Sequence, residues 1–74
     1  MNAERRKVLL EVVNTLENAK AKVEEVKDEE QDSFDNLPEG LQQSERGQEM
    51  EEKIQSMEEI IDNIDNAISA LGDV

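Results

Sequence analysis

Met50-Glu51-Glu52-Lys53-Ile54-Gln55-Ser56-Met57-Glu58-Glu59-Ile60-Ile61-Asp62-Asn63-Ile64-Asp65-Asn66-Ala67-Ile68-Ser69-Ala70-Leu71 decides the fold of this chain. Met50, Ile54, Met57, Ile61, Ile64, Ile68 and Leu71 follow one another at alternating steps of four and three residues. That spacing keeps them on one stripe of an α-helix. A stripe this narrow, repeating every seven residues, is the seam of a coiled coil. Upstream, Leu9, Val12, Leu16, Ala19, Val23 and Val26 carry a second stripe of the same kind. Between the two stripes lie the only Pro, the only Phe and two of the three Gly. The pattern predicts an all-α antiparallel coiled-coil hairpin, one domain over residues 1–74.

Each boundary has a local cause. Asn2 is placed to cap a first helix over residues 3–32, whose interior contains no Gly or Pro. A connection over residues 33–43 follows. In it, Asp35 and Asn36 favour a turn and Pro38 disfavours helical geometry at Leu37. Pro38 can open a short turn of its own through Leu41, which Gly40 ends. A second helix spans 44–71, with Ser44 capping its amides and Glu45 suiting its dipole. Gly72 stands just past the last seam residue, where helices commonly stop. Gly47, early on the seam, allows close approach of the connection.

The two stripes predict a register. Val26 with Met50, Val23 with Ile54, Ala19 with Met57, Leu16 with Ile61, Val12 with Ile64 and Leu9 with Ile68 have residue numbers summing to 76 or 77. On one flank this alignment sets Lys20 against Glu58 and Lys27 against Glu51. On the other it sets Val8 near Ala67, Thr15 near Ile60, Lys22 near Lys53 and Glu29 near Arg46. A two-stranded seam needs only a narrow apolar stripe; a wider one calls for further helices. Val8, Thr15, Ile60 and Ala67 are therefore the expected protein interface. A second copy, giving a four-helix bundle, is its simplest occupant.

Composition removes most chemistries. There is no Cys and no His, hence no disulfide, no thiol nucleophile, no Cys or His zinc site and no imidazole base. No Gly-rich phosphate loop and no hydroxyl with a base partner occurs. The paired carboxylates lack a pocket to shift their pKa values. The expectation is a protein that is not an enzyme and uses no cofactor. No apolar run exceeds three residues, too short for a membrane span or a signal-peptide core. The expected location is cytoplasmic.

Asp28, Glu30, Asp32, Asn36 and Glu39 fall at oxygen-ligand positions of a calcium loop. Ser33, however, stands where such a loop turns on Gly, and Asp35 occupies a position that is not normally acidic. The segment reads as a solvated acidic helix end, with no metal. Phe34, Leu37 and Leu41 form an apolar cluster expected to plug the closed end of the hairpin.

The net charge is −12, and it is unevenly spread. Residues 1–23 hold three acids and five bases, residues 24–39 eight acids and one base, residues 40–74 nine acids and two bases. Such a surface repels nucleic-acid phosphates and anionic lipids. A basic protein is its natural partner. Glu45, Glu49, Glu52, Glu59 and Asp62 lie off the seam of the second helix. They form a possible mimic surface that imitates DNA phosphates.

Phe34-Asp35-Asn36-Leu37-Pro38, followed by Ser44-Glu45-Arg46-Gly47, resembles a phrase of uncharacterised small acidic helical proteins of bacteriophages and prophages. The resemblance covers the connection and the first turns of the second helix, about a third of the chain. It implies a phage or prophage setting in a bacterial host cell and supplies no activity or functional residue. The leading expectation is a non-enzymatic protein–protein interaction module. The alternative is an acidic DNA mimic that inhibits a nucleic-acid-binding host defence protein.

Overall fold

A computed structural model describes every residue, Met1–Val74. Two helices pack against each other as a hairpin, α1 over Ala3–Asp35 and α2 over Glu45–Leu71, with no strand. The molecule is a rod of 58 × 15 × 11 Å.

The caps work as their residue types require. The Asn2 side chain accepts a hydrogen bond from the Arg5 amide at 2.9 Å. Ser44 Oγ accepts one from the Gly47 amide at 3.3 Å and donates to the Leu41 carbonyl. Each satisfies an amide that a helix start leaves without an intrahelical partner.

The first helix runs further than residue 32. Ser33, Phe34 and Asp35 are helical, and the Asn36 amide still reaches the Asp32 carbonyl at 3.0 Å. Pro38 restricts only the residue before it, so nothing stops the helix at Ser33. The connection is correspondingly residues 36–44. Within it the Leu41 amide bonds to the Pro38 carbonyl at 3.0 Å, the short turn that Pro38 was expected to open. Gly40 takes φ +91°, a left-handed conformation that costs any residue with a Cβ.

The connection folds down over the start of α2. A Cβ on Gly47 would stand 2.2 Å from the Gln42 carbonyl oxygen and 2.6 Å from that of Leu41. Gly47 is one of three buried residues, with Ile54 and Ile61. Gly72, by contrast, ends α2 at φ −66° in right-handed geometry. There a glycine is permitted rather than demanded.

The seam on α1 differs from its predicted course. Leu9, Leu16, Val23 and Glu30 form one half-buried line, and Val13, Lys20, Lys27 and Phe34 form the other. Val12 and Val26, expected on the seam, are 38% and 53% exposed. Ala19 is half-buried. The lines through Val12 and Val13 both adjoin the Leu9 line, so α1 can roll toward either. The aliphatic stems of Lys20 and Lys27 can cover apolar surface while their charged ends stay wet. Val13 and Phe34, at opposite ends of that line, supply its fully apolar contacts.

Candidate protein interface

The two flanks of the rod differ chemically. On the first, Lys20 Nζ lies 2.7 Å from Asp65 Oδ1 and 3.7 Å from Glu24 Oε1. Further along, Gln31 and Phe34 of α1 share a groove with Glu51, Ile54 and Glu58 of α2. These contacts fix which sides of the helices adjoin. In an antiparallel pair, matching flank positions of the two helices lie together, and Glu24, Gln31, Glu51, Glu58 and Asp65 are all on this one. It is acidic, with Lys20 and Lys27 reaching out over it. The Lys20 ammonium is held above its ordinary pKa. The hydrogen bond to Asp65 is the main cause, partial desolvation opposes it, and the attraction of Asp65 and Glu24 adds to it.

The predicted flank pairs are replaced. Lys20 meets Asp65 instead of Glu58, and Lys27 approaches only its neighbour Asp28, at 4.0 Å, instead of Glu51. Glu29 makes no ion pair with Arg46. Leu9 and Val13 share a groove with Ile68, Leu71 and Val74, and Glu30 shares one with Arg46 and Met50. Leu9 and Ile68, paired in the expected alignment, thus still share a groove, while the Lys20 ammonium reaches an acid one heptad beyond Glu58.

The second flank carries the positions three residues after the Leu9 and Met50 lines, on the side away from Asp65, and the next line round the helix, which precedes each seam residue by one. Val8, Val12, Thr15, Ala19 and Val26 of α1 fall there, with Ile60 and Ala67 of α2. Val8 is 55% exposed and Ile60 45%; Thr15 and Ala67 are exposed as well. The Thr15 hydroxyl donates to the Glu11 carbonyl at 3.1 Å, which turns its polar atom onto its own backbone. Among the large apolar side chains exposed on the molecule, Val8, Val12, Val26 and Ile60 share this flank. Val8 and Ile60 are exposed, as an expected interface requires, and Val12 and Val26, expected on the seam, are exposed as well.

Charge separates the flanks further. Arg5, Lys22, Arg46 and Lys53 fall on the apolar flank against only Glu29 and Glu49. Six of the eight bases, namely Arg5, Arg6, Lys7, Lys22, Arg46 and Lys53, make no ion pair within the chain. An acidic rod therefore has one side that is greasy and locally basic.

The carboxylates of the possible mimic surface are all exposed. Glu45, Glu52 and Glu59, seven residues apart, share the outer line of α2, about 10 Å from one to the next. Asp62 lies to one side of that line. Glu49 lies to the other, in a groove with Arg46 and Lys53.

The acidic turn before Pro38 is helical through Asp35, so its carboxylates radiate from α1. Nowhere do three acidic side chains gather as a metal site would require. The Phe34 carbonyl accepts from Gln42 Nε2 at 3.2 Å, and Phe34 and Leu37 are half-buried. Leu41 is exposed and takes no part in the plug. No helix is long and apolar enough to cross a membrane. No family model, no curated protein and no solved structure matches this chain.

Proposed function

We propose that this hairpin is a non-enzymatic protein–protein interaction module of the phage or prophage type. It pairs with a second copy to form a four-helix bundle and offers its acidic outer faces to a basic protein of the host cytoplasm. The observation that carries the reading is the gathering of Val8, Val12, Val26 and Ile60, all exposed, on one flank. Exposed apolar side chains gathered on one face mark interaction sites.

Area supports the same reading. The chain exposes 5712 Å², whereas a compact monomer of its mass exposes about 4,600 Å². The surplus, about 1,100 Å², is comparable with the roughly 800 Å² that each partner buries in a standard interface. Only Ile54 and Ile61 form a buried apolar core. Small units with so little core commonly gain stability by association.

Sedimentation equilibrium at high micromolar concentration tests the pairing. The chain should be dimeric, and Val12→Glu with Ile60→Glu should return a helical monomer. A strict monomer from the unaltered chain overturns the proposal.

The line Glu45, Glu52, Glu59 favours a second reading, an acidic DNA mimic that occupies the basic groove of a nucleic-acid-binding host defence protein. Under it, binding competes with DNA and weakens steeply as salt rises. Binding through the apolar flank does not compete with DNA and depends less steeply on salt.

A further inference from the structure

The pairing proposed above leaves its direction open, and the charge distribution along the rod decides it. Residues 20–59, the closed half of the hairpin, hold fourteen acids and five bases. The remaining residues, the open half, hold six acids and three bases, and those bases are the consecutive Arg5, Arg6 and Lys7. None of the three makes an ion pair in its own chain. We infer that two copies pack apolar flank to apolar flank with their rods antiparallel, so that Arg5, Arg6 and Lys7 of each lie beside the acidic closed half of the other.

The argument begins with repulsion. Parallel packing would set the two closed halves side by side, each strongly negative. It would also set Lys22, Arg46 and Lys53 near their own equivalents. Charges within one Debye length, about 8 Å at physiological salt, act on each other with little screening. Antiparallel packing separates the closed halves along the rod. It also supplies carboxylates to bases that lack them.

Apolar matching points the same way. Val8 and Val26 lie nine residues on either side of Glu17, and Arg5 and Glu29 lie twelve on either side. A two-fold axis crossing α1 near Glu17 sets Val8 of one copy against Val26 of the other, and Arg5 against Glu29. Such an interface is isologous and closed, so assembly stops at two copies. The inference rests on the proposed dimer, and its test tells the two apart.

The chain has no Cys, so a spin label can be attached at one engineered site. Ser33 and Asn18 are exposed, Ser33 near the closed end and Asn18 near the proposed axis. The Ser33→Cys and Asn18→Cys variants, labelled in the full chain, should give dipolar distances that differ sharply. Antiparallel packing predicts roughly 48 Å between Ser33 labels, from about 1.5 Å of rise per residue on either side of the axis. The Asn18 labels should be much closer. Short distances at both sites would overturn the inference while leaving the dimer intact. Absence of any dipolar coupling would overturn the dimer itself. In parallel, Arg5→Glu, Arg6→Glu and Lys7→Glu together should raise the dimer dissociation constant at least about tenfold at low salt, and less at high salt. Acids in the first turn of α1 suit its dipole, so folding is preserved. An unchanged dissociation constant would overturn the inference.

Discussion

Lys20 of α1 and Asp65 of α2 form the one ion pair that joins the two helices, at 2.7 Å. Asp65 lies one heptad beyond Glu58, the partner that the apolar stripes nominate. Pairing of Lys20 with Glu58 or with Asp65 corresponds to alignments up to one heptad apart, the step at which a repeating seam fits its partner again.

Substitution at the two acids distinguishes these alignments. Asp65→Asn should lower stability slightly but measurably, as for other partly exposed pairs. Glu58→Gln should leave it unchanged within measurement. Thermal or urea denaturation decides the matter, and a larger loss at Glu58 would mean that the helices are aligned differently.

The same pair gives a pH dependence. The Lys20 pKa is raised in the folded state, so its contribution is fully present below the unfolded value of 10.5. It is lost as pH rises through the higher folded value. A Lys20→Met variant should therefore differ from the parent by a constant amount near neutrality. The difference should shrink only in strongly alkaline solution. A difference that fades already between pH 6 and pH 9, followed by chemical denaturation, would contradict the pairing.

Gly47→Ala and Gly72→Ala should have opposite outcomes. Alanine normally favours a helix over glycine by about 1 kcal/mol. At position 47 the new methyl group would run into backbone oxygens of Leu41 and Gln42, and overpacking costs about 1–3 kcal/mol. At position 72 the nearest atom stands at 3.3 Å and φ is −66°. The melting temperature should fall for the first variant and stay level or rise for the second. A stabilising Gly47→Ala would show that the connection does not lie over the start of α2.

Truncations along the stripes separate seam from flank. Ile54→Ala or Ile61→Ala should cost about 2–4 kcal/mol at any chain concentration, as for other buried isoleucines. Val26→Ala should cost well under 1 kcal/mol in dilute solution, where surface changes have small effects. Its cost should grow with concentration as the proposed dimer forms. Equal losses at Val26 and Ile54 in dilute solution would return Val26 to the seam.

A cap prediction is independent of packing between the helices. Ser44→Ala removes both the acceptor for the Gly47 amide and the donor to the Leu41 carbonyl. It should cost about 1 kcal/mol. Hydrogen exchange should show the loss concentrated in the first turn of α2. Protection unchanged there would mean that Ser44 is not the cap.

The amino-acid sequence by itself determined the two helices, their caps at Asn2 and Ser44, the short turn after Pro38 and the close approach at Gly47. Each follows from chemistry within a few residues: a side-chain oxygen near an orphan amide, a ring that fixes φ, a missing Cβ. The stripe on α2 was equally legible, because Ile54, Ile61, Ile64 and Ile68 have no apolar competitors at comparable seam spacing except Ile60. Tertiary structure alone decided which side of α1 faces that stripe and at what alignment. Residue type favoured the line of Val12, Ala19 and Val26, yet the line of Val13, Lys20, Lys27 and Phe34 is turned inward. The two lines flank the Leu9 line and lie only about 100° apart around the helix. The choice between them is set by contacts that sequence distance hides. Those are Phe34 under the connection, Lys20 against Asp65, and lysine stems long enough to cover a seam that shorter side chains would otherwise fill. That rotation leaves Val12 and Val26 beside Val8 and Ile60 on an open flank, where a second helical pair can be received.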